Sequence, residues 1–480
     1  MSEGIGDRLT ASPAAEVARE ALGERDGVWV VGGAVRDAAS GRPVVDVDLA
    51  VAGGEDDAAR AVASAAGGHA FELSAEFGTW RAVAPYERWH VDVTRLRGAT
   101  IEEDLGRRDF TVNAVAVPLG DLGADPIDPT GGLADAQRRV LRAAGVAAFA
   151  DDPLRILRAA RLSAELGFEL EDQTVALARE AASRAGDPAG ERQLQELRLL
   201  VSAPDPLRGL AALDELGATG SVLPEVETMR GVEQNPNHHL DVFGHTLEVL
   251  RQLLELEDDL GSVAGDRAGE LSELLTEPLA DGFSRGQALR LGALLHDVGK
   301  PETRDDSRGF VTFIGHDHEG ARIVTGVCRR LRTSRTLEVY LRGVTLHHLR
   351  LGFLASERPL APRRVHEYLR ATEPVSADVT LLTVADRLSA RGEGPIASPE
   401  MVNAHLELAG EMLAAALDRR RDGPPRSPIP GDELAAELGI EEGPELGRLL
   451  SEVEAAVYAG EVTGREGAVA FARGLLEQTE

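Results

Sequence analysis

VVGGAVRDAASGRPVVDVDLAV, residues 30–51, is the stretch from which the fold is read. Residues two apart on a β-strand point to one face. Val45-Asp46-Val47-Asp48-Leu49 therefore sets Asp46 and Asp48 side by side, with the valines and Leu49 on the opposite, buried face. Two close, unneutralised carboxylates repel, and the arrangement makes sense if divalent cations bridge them. Upstream, Val28 to Val31 reads as a strand running into Gly32-Gly33, and a helix pattern with Val35, Arg36 and Asp37 follows. A glycine pair between a strand and a helix N-terminus lets backbone N–H groups approach a phosphate. Each signal alone is commonly just a turn or a solvated strand edge. Together they point to phosphoryl or nucleotidyl transfer.

Around this segment the pattern alternates. Strands are expected at 44–51, 69–73, 79–84 and 89–94, with a helix near 56–66, a leading helix within 1–26 and a helical stretch from Thr111. That is a small α/β head of ordinary domain size. From Asp151 onward apolar residues recur at helical spacing (Leu154, Leu157, Ala160, Leu162, Leu166) and the strand signals vanish. The acidic, glycine-punctuated stretch 255–287 reads as an irregular excursion, and Arg419 to Arg426 as a linker.

The chain has 480 residues, enough for several domains, and a formal net charge of −30. That balance argues against indiscriminate nucleic-acid binding, though not against a shaped cleft lined with arginine. Lys300 is the only lysine, which genomic composition bias explains, so positive contacts must come from arginine. A single cysteine, Cys328, excludes an intramolecular disulfide and suits a reducing cytosol. No run of eighteen apolar residues appears, and the N-terminus has no signal pattern. No membrane association and a cytoplasmic location are expected.

Three further segments fix a resemblance. Glu103-Asp104-Leu105-Gly106-Arg107-Arg108-Asp109-Phe110-Thr111-Val112-Asn113-Ala114 comes first, then Ile127-Asp128-Pro129-Thr130-Gly131-Gly132-Leu133. Asp151-Asp152-Pro153-Leu154-Arg155 with Arg158 and Arg161 follows. In this order they resemble the class II tRNA nucleotidyltransferase and bacterial poly(A) polymerase family, from about Val28 to the C-terminus. The resemblance implies a mixed-sheet α/β nucleotidyltransferase head over 1–142 and a helical neck over 143–230, which binds the nucleotide base and RNA. A histidine-bearing domain over 231–395 and a helical tail over 396–480 would complete the chain.

By that resemblance Asp46 and Asp48 hold two Mg²⁺ ions, with Asp92 as a third carboxylate on a neighbouring strand. Gly32, Gly33 and Arg36 meet the nucleotide, and Arg108 and Asp109 its ribose. Asp152 and Arg155 read the base, with Arg158 and Arg161 on the same helix. A carboxylate accepts from an exocyclic amine while a guanidinium donates to a ring acceptor, a pattern that suits cytosine and adenine. Glu191-Arg192 and Glu196-Leu197 resemble the last family motif, which gives structural support. Family members that add all three nucleotides carry an extended flexible loop before the Arg-Arg-Asp-Phe motif. Here Asp92 to Arg97 is followed almost at once by Gly98-Ala99-Thr100-Ile101. Such shortening resembles enzymes that stop after two cytidines, so the expected reaction on tRNA from CTP and ATP is CCA or only CC addition. A poly(A) polymerase shares the same head and neck.

Eight of the twelve histidines fall between residues 238 and 348. His245, His296-Asp297, His316, His347 and Asp386 stand in an order that resembles the HD phosphohydrolase domain, an all-helical site for a divalent metal. Imidazoles with carboxylates suit a transition metal or Mg²⁺. A phosphohydrolase acting on 2′,3′-cyclic phosphates or nucleotides is the rival reading, and a domain kept only for packing is another. His238, His318 and His366 are expected to face solvent or to stand behind the ligands.

Overall fold

The computed structural model describes residues 4–75 and 78–478 and divides into two units, 1–222 and 223–480. The first holds a six-stranded mixed sheet: β1 (Val28–Val31), β2 (Val47–Val51), β3 (His69–Ser74), β4 (Thr79–Val83), β5 (His90–Arg95) and β6 (Ala116–Pro118). Their order across the sheet is β3-β4-β5-β2-β1-β6. Only β2 and β5 run parallel, in a register that sets Asp48 opposite Asp92. The valines and leucine of β1, β2 and β5 are buried under the helices Pro13–Leu22, Gly33–Ala39 and Glu55–Ala66. Their small alanines allow close helix-on-sheet packing.

Three sequence expectations change here. Val45 is 54% exposed, because β2 starts only at Val47 and the residues before it have not yet joined the sheet. The helix expected from Thr111 is a single 3₁₀ turn, Thr111–Asn113, that leads into β6. The leading segment is two short helices, Ile5–Thr10 and Pro13–Leu22, rather than one. Beyond the sheet the helix Leu154–Leu166 packs on Gly190–Val201 and Pro206–Glu215, as its apolar spacing foretold. Strands do not vanish entirely: Val140–Leu141 pairs with Glu169–Leu170.

The second unit is built around the helices Val242–Asp258, Arg285–Leu295, His316–Leu331, Arg335–His347 and Ser376–Ser389. Residues 255–287 prove largely helical, with a short hairpin at Pro278–Ser284. Their leucines Leu271, Leu274 and Leu275 are buried, which the acidic composition concealed. Arg419 to Asp422 belong to the long helix Pro399–Asp422, so the linker is shorter than expected. That helix packs on Ser376–Ser389, where His405 Nε2 lies 3.1 Å from Thr383 Oγ1. Residues from Ile429 to Leu476 close a small core of their own. Cys328 is buried, and burial pushes its thiol up to about 11.

One clasp shapes this unit's main cavity. The Gly392 N–H donates to the Asn237 carbonyl and the Gly394 N–H to the Pro236 carbonyl, both at 2.9 Å. A Cβ on Gly392 would run into the Pro236 carbonyl oxygen, and one on Gly394 into the Asn237 side chain. Gly392→Ala is expected to cost about 1–3 kcal/mol by overpacking and to lower the melting temperature by several degrees. Gly447→Ala, whose Cβ meets open space on a helix, is expected to leave the melting temperature unchanged or raise it. Calorimetry of both variants is the check; equal melting temperatures would refute the clasp.

Candidate active site and candidate metal centre

In the first unit a cavity of about 1200 Å³ opens above β1, β2 and β5. Its lining includes ten arginines and six aspartates, among them Arg36, Asp48, Arg108, Asp109, Asp152, Arg155, Arg158 and Arg161. In a chain of net charge −30 this is a cationic enclave, suited to a polyanion.

Gly32 leads the helix Gly33–Ala39 with φ of 72°, and a Cβ there would stand 2.8 Å from Asp48 Oδ2 and 3.4 Å from Arg108 Nη1. Only glycine lets the turn, the carboxylate and the guanidinium converge. Asp48 opens onto the cavity, yet crowding by protein and by the Asp92 carboxylate raises its pKa above the ordinary value. Arg108, His90 and Arg36 oppose that rise. Asp92 is gripped by Arg81, Nε to Oδ1 at 2.7 Å and Nη2 to Oδ2 at 2.8 Å. Asp46 is turned toward His90, whose backbone N–H and Nδ1 both lie 2.9 Å from Oδ1. Burial works against ionisation of Asp46, but these contacts hold its carboxyl below the usual value. The cavity lining holds Asp48 and not Asp46. Carboxylates crowded until one resists ionisation fit a hard divalent cation.

The arginines are fixed by buried carboxylates. Asp104 takes Arg108 Nε at 3.0 Å and Nη2 at 2.9 Å, and with its other oxygen the Arg97 N–H at 3.0 Å. Asp109 accepts from the Phe110 N–H, Asn113 Nδ2 and Arg158 Nη1. Burial opposes its ionisation, but Arg158 and these bonds bring its carboxyl down to about 2. Glu196 bridges Arg158 Nε at 3.1 Å and Arg161 Nε at 3.0 Å. Arg36 donates to Asn113 Oδ1 at 2.8 Å. Arg155 is buried and donates to the carbonyls of Arg107, Arg108 and Ala148, while Asp152 accepts from Arg192 Nη2 at 2.8 Å. Asp104 was not singled out as functional by sequence reasoning, though its i,i+4 spacing to Arg108 is a helix ion-pair signal.

The second unit has its own cavity of about 660 Å³, lined by His238, Asp297, Lys300, His316, His348 and Asp386. His348, not the expected His347, joins the cluster. Successive side chains on a helix diverge by about 100°. His348 is 2% exposed and its Nε2 lies 3.2 Å from His316 Nε2, whereas His347 sits toward Arg350, Asp317 and His318. His238 lines the cavity itself, its ring 4.6 Å from that of His245, and His318 is exposed. His366 departs from expectation: it is buried against Tyr458, away from the cluster.

Three histidines share one device. Nδ1 of His296, His316 and His348 lies 2.8, 2.7 and 2.6 Å from the carbonyl three residues upstream, of Ala293, Phe313 and Thr345. Those bonds place the proton on Nδ1 and aim the Nε2 lone pair inward. Burial and the neighbouring His316 and His296 push His348 down to about 3, so it is neutral. His245 Nε2, His296 Nε2 and both Asp297 oxygens are buried and face one another, with Asp386 Oδ1 3.0 Å from His245 Nε2 and Lys300 Nζ 2.6 Å from Asp297 Oδ2. Buried imidazole and carboxylate ligand atoms converging in this way fit a divalent metal.

Comparison with known proteins reaches both units. A Poly A polymerase head domain model matches residues 28–142, and a Probable RNA and SrmB- binding site of polymerase A model matches 167–229. An HD domain model matches 242–391. The chain is 37% identical over 462 residues to the A-adding tRNA nucleotidyltransferase of Deinococcus radiodurans, covering 94% of this chain and 96% of that protein. It belongs to the tRNA nucleotidyltransferase family. The CC-adding tRNA nucleotidyltransferase of Thermus thermophilus is 33% identical over 450 residues, 92% of each chain. The fold is also that of the Thermotoga maritima CCA-adding enzyme complexed with tRNA, at 21% identity, 99% of both chains and a TM-score of 0.60. The chain is therefore a nucleotidyltransferase with an HD domain, two architectures that use divalent metals. Among the described residues no helix is long and apolar enough to cross a membrane.

A carboxyl whose folded pKa is raised above its unfolded value costs stability once the pH exceeds that unfolded value, and the cost persists above the folded pKa. Asp48→Asn removes that cost. It is expected to abolish nucleotide addition while keeping or raising the melting temperature at pH 8. Retention of a tenth of wild-type extension would remove Asp48 from the chemistry.

Proposed function

We propose that the chain adds two cytidines from CTP to the 3′ end of tRNA without a nucleic-acid template and adds the terminal adenosine poorly. The observation that carries the reading is the short connection from β5 to the helix Ile101–Leu105. It is pinned along its length. The Arg97 N–H is held by Asp104, the Ala99 N–H donates to Glu103 Oε2 at 2.9 Å, and Thr100 caps the helix. Arg107 Nη1 donates to the Arg97 carbonyl. A segment so short and so tied has no slack to act as a lever when the site must change from CTP to ATP. The Thermus relative bears the CC-adding name, while the Deinococcus relative supplies the competing reading, adenosine addition alone.

In this reading Asp46, Asp48 and Asp92 would hold Mg²⁺, which would activate the 3′-hydroxyl and neutralise the triphosphate. The chain's own groups do the rest. Arg108, oriented by Asp104, and Arg36 meet the phosphates beside Gly32 and Gly33. Asp109, fixed by Arg158 and Asn113, accepts the ribose hydroxyl. Asp152 and Arg155 select the base, with Arg155 also clamping the Arg107 and Arg108 carbonyls that frame the site. The functional boundaries are a head over 1–142, a neck over 143–230, an HD domain over 231–395 and a tail over 396–480, in the cytoplasm.

The check is extension of tRNA lacking CCA with CTP, ATP or both, followed by sequencing of the 3′ ends. Ends finishing in CC with both nucleotides present are expected. Mostly CCA ends would refute CC-only addition, extension only of tRNA already ending in CC would establish A addition, and long A runs a poly(A) polymerase.

The converging, buried ligand atoms of the histidine cluster favour a second activity, metal-dependent hydrolysis of phosphate esters. His296→Ala with Asp297→Ala is expected to leave nucleotide addition within about twofold of wild type while removing hydrolysis of 2′,3′-cyclic nucleotides. Loss of addition in the folded double variant would show that the sites are not independent.

A further inference from the structure

We propose that Arg42 is a positioning residue for base selection, because it holds the far end of the helix that carries Arg155 and Arg158. The inference rests on the base-reading role given above to Asp152 and Arg155. Arg42 Nη1 donates to the Glu165 carbonyl at 3.2 Å and Nη2 to the Leu166 carbonyl at 3.1 Å. These two residues close the helix Leu154–Leu166. The last four carbonyls of a helix have no partner within it, and a cation there also meets the negative end of the helix dipole. This helix has no basic residue in its own last turn, so the cation comes from a residue 123 positions earlier than Glu165.

The head grips the same spot a second time. The Glu165 carboxylate takes Arg161 Nη1 at 2.6 Å and stands 3.9 Å from Nη2 of Arg36, which belongs to the helix Gly33–Ala39. Arg42 is itself fixed. Its N–H donates to the Asp37 carbonyl at 2.8 Å, and the Ser40 N–H to the Arg36 carbonyl at 2.9 Å. Gly41 between them takes φ of 74°, and a Cβ there would lie 3.4 Å from Arg8 Nη1, which donates to the Ala38 carbonyl at 2.7 Å. The helices Gly33–Ala39 and Leu154–Leu166 are thus tied together at their C-terminal ends, while the glycine turn and Arg155 lie at their N-terminal ends.

Arg155 and Arg158 also tie this helix to the head, but both line the cavity and share their donors with an incoming nucleotide. Arg42 does not line it, so its two bonds hold whether or not the site is filled. Glu165 lies about 15 Å along the helix from Arg155, so a tilt of about 4° at that end displaces Arg155 by about 1 Å. A misplacement of that size can cost about a hundredfold in a reaction that depends on position. An Arg155 free to shift meets a uracil edge as readily as a cytosine edge, and discrimination falls before the fold does.

The test reads selection, stability and coupling together. Incorporation of CTP and of UTP into tRNA lacking CCA is measured for wild type, Arg42→Met, Arg42→Lys, Arg155→Ala and the Arg42→Met, Arg155→Ala double variant, with a melting temperature for each. ATP over GTP is the same comparison if wild type adds only adenosine. Arg42→Met keeps the stem and loses the fork, and the CTP-over-UTP ratio of kcat/KM is expected to fall about tenfold. Arg42→Lys, which can reach one carbonyl, should keep an intermediate ratio. With Arg155→Ala already present, Arg42→Met should change the ratio no further, because both act through one group. If Arg42→Met fails to fold, Arg42→Lys decides on the same ratio. A ratio lowered by Arg155→Ala but unchanged in the folded Arg42 variants makes Arg42 an ordinary helix cap and overturns the proposal, whatever the melting temperatures. A full effect of Arg42→Met persisting without Arg155 overturns it as well. An unchanged ratio in Arg155→Ala overturns the base reading itself, and the proposal with it.

Discussion

Guanidinium groups crowd together only where buried carboxylates hold them apart and aim them, and the head cavity depends on that constraint. Asp104, Asp109 and Glu196 are each less than a tenth exposed, and each spends its oxygens on arginine or on the backbone beside one. A guanidinium presents a planar fork of donors that a carboxylate can grip from two sides. An ammonium offers no such fork. In a chain with a single lysine, the cationic surface that meets a triphosphate is therefore rigid, and its rigidity originates one layer below the cavity wall. The tie from Asp104 to both Arg108 and the Arg97 backbone links the short connection directly to the arginine beside Asp48.

The two units solve the problem of holding cations by opposite chemistry. In the head, carboxylates are crowded until Asp48 resists ionisation, a crowding that a hard cation would relieve. In the second unit, backbone carbonyls fix the imidazole tautomers, so that lone pairs converge in a buried space lined by histidine. The first arrangement is open to the solvent and to an incoming chain end. The second is bordered by the clasp of residues 236–237 on 392–394, where the backbone opposite leaves no room for a Cβ on Gly392.

Much of this was legible in sequence because it is local. Strand alternation put Asp46 and Asp48 on one face, helical spacing put Arg155, Arg158 and Arg161 on one helix, and the family resemblance implied Asp92 on a neighbouring strand and a metal centre among the histidines. Those signals depend on periods of two and of 3.6 residues, which the chain carries wherever it folds. Departures from them are equally instructive. The segment 255–287 looked irregular because charge outweighed pattern, yet its leucines had a helix neighbour to pack against. His347 and His348 are adjacent, and nothing in their order says which one faces inward.

What the sequence by itself determined was the family, the mixed-sheet head and the helical remainder, and it singled out most of the residues that line the two cavities. Tertiary structure alone decided which atoms those residues still have to offer. It turned Asp46 toward His90, gave Asp92 to Arg81, clamped Arg155 on carbonyls and split Asp297 between two pairs of histidines. The physical reason is that hydrogen-bond capacity is finite and is spent on partners far away in the chain. Residue type and spacing name a donor or an acceptor; only packing shows whether its lone pairs are already taken.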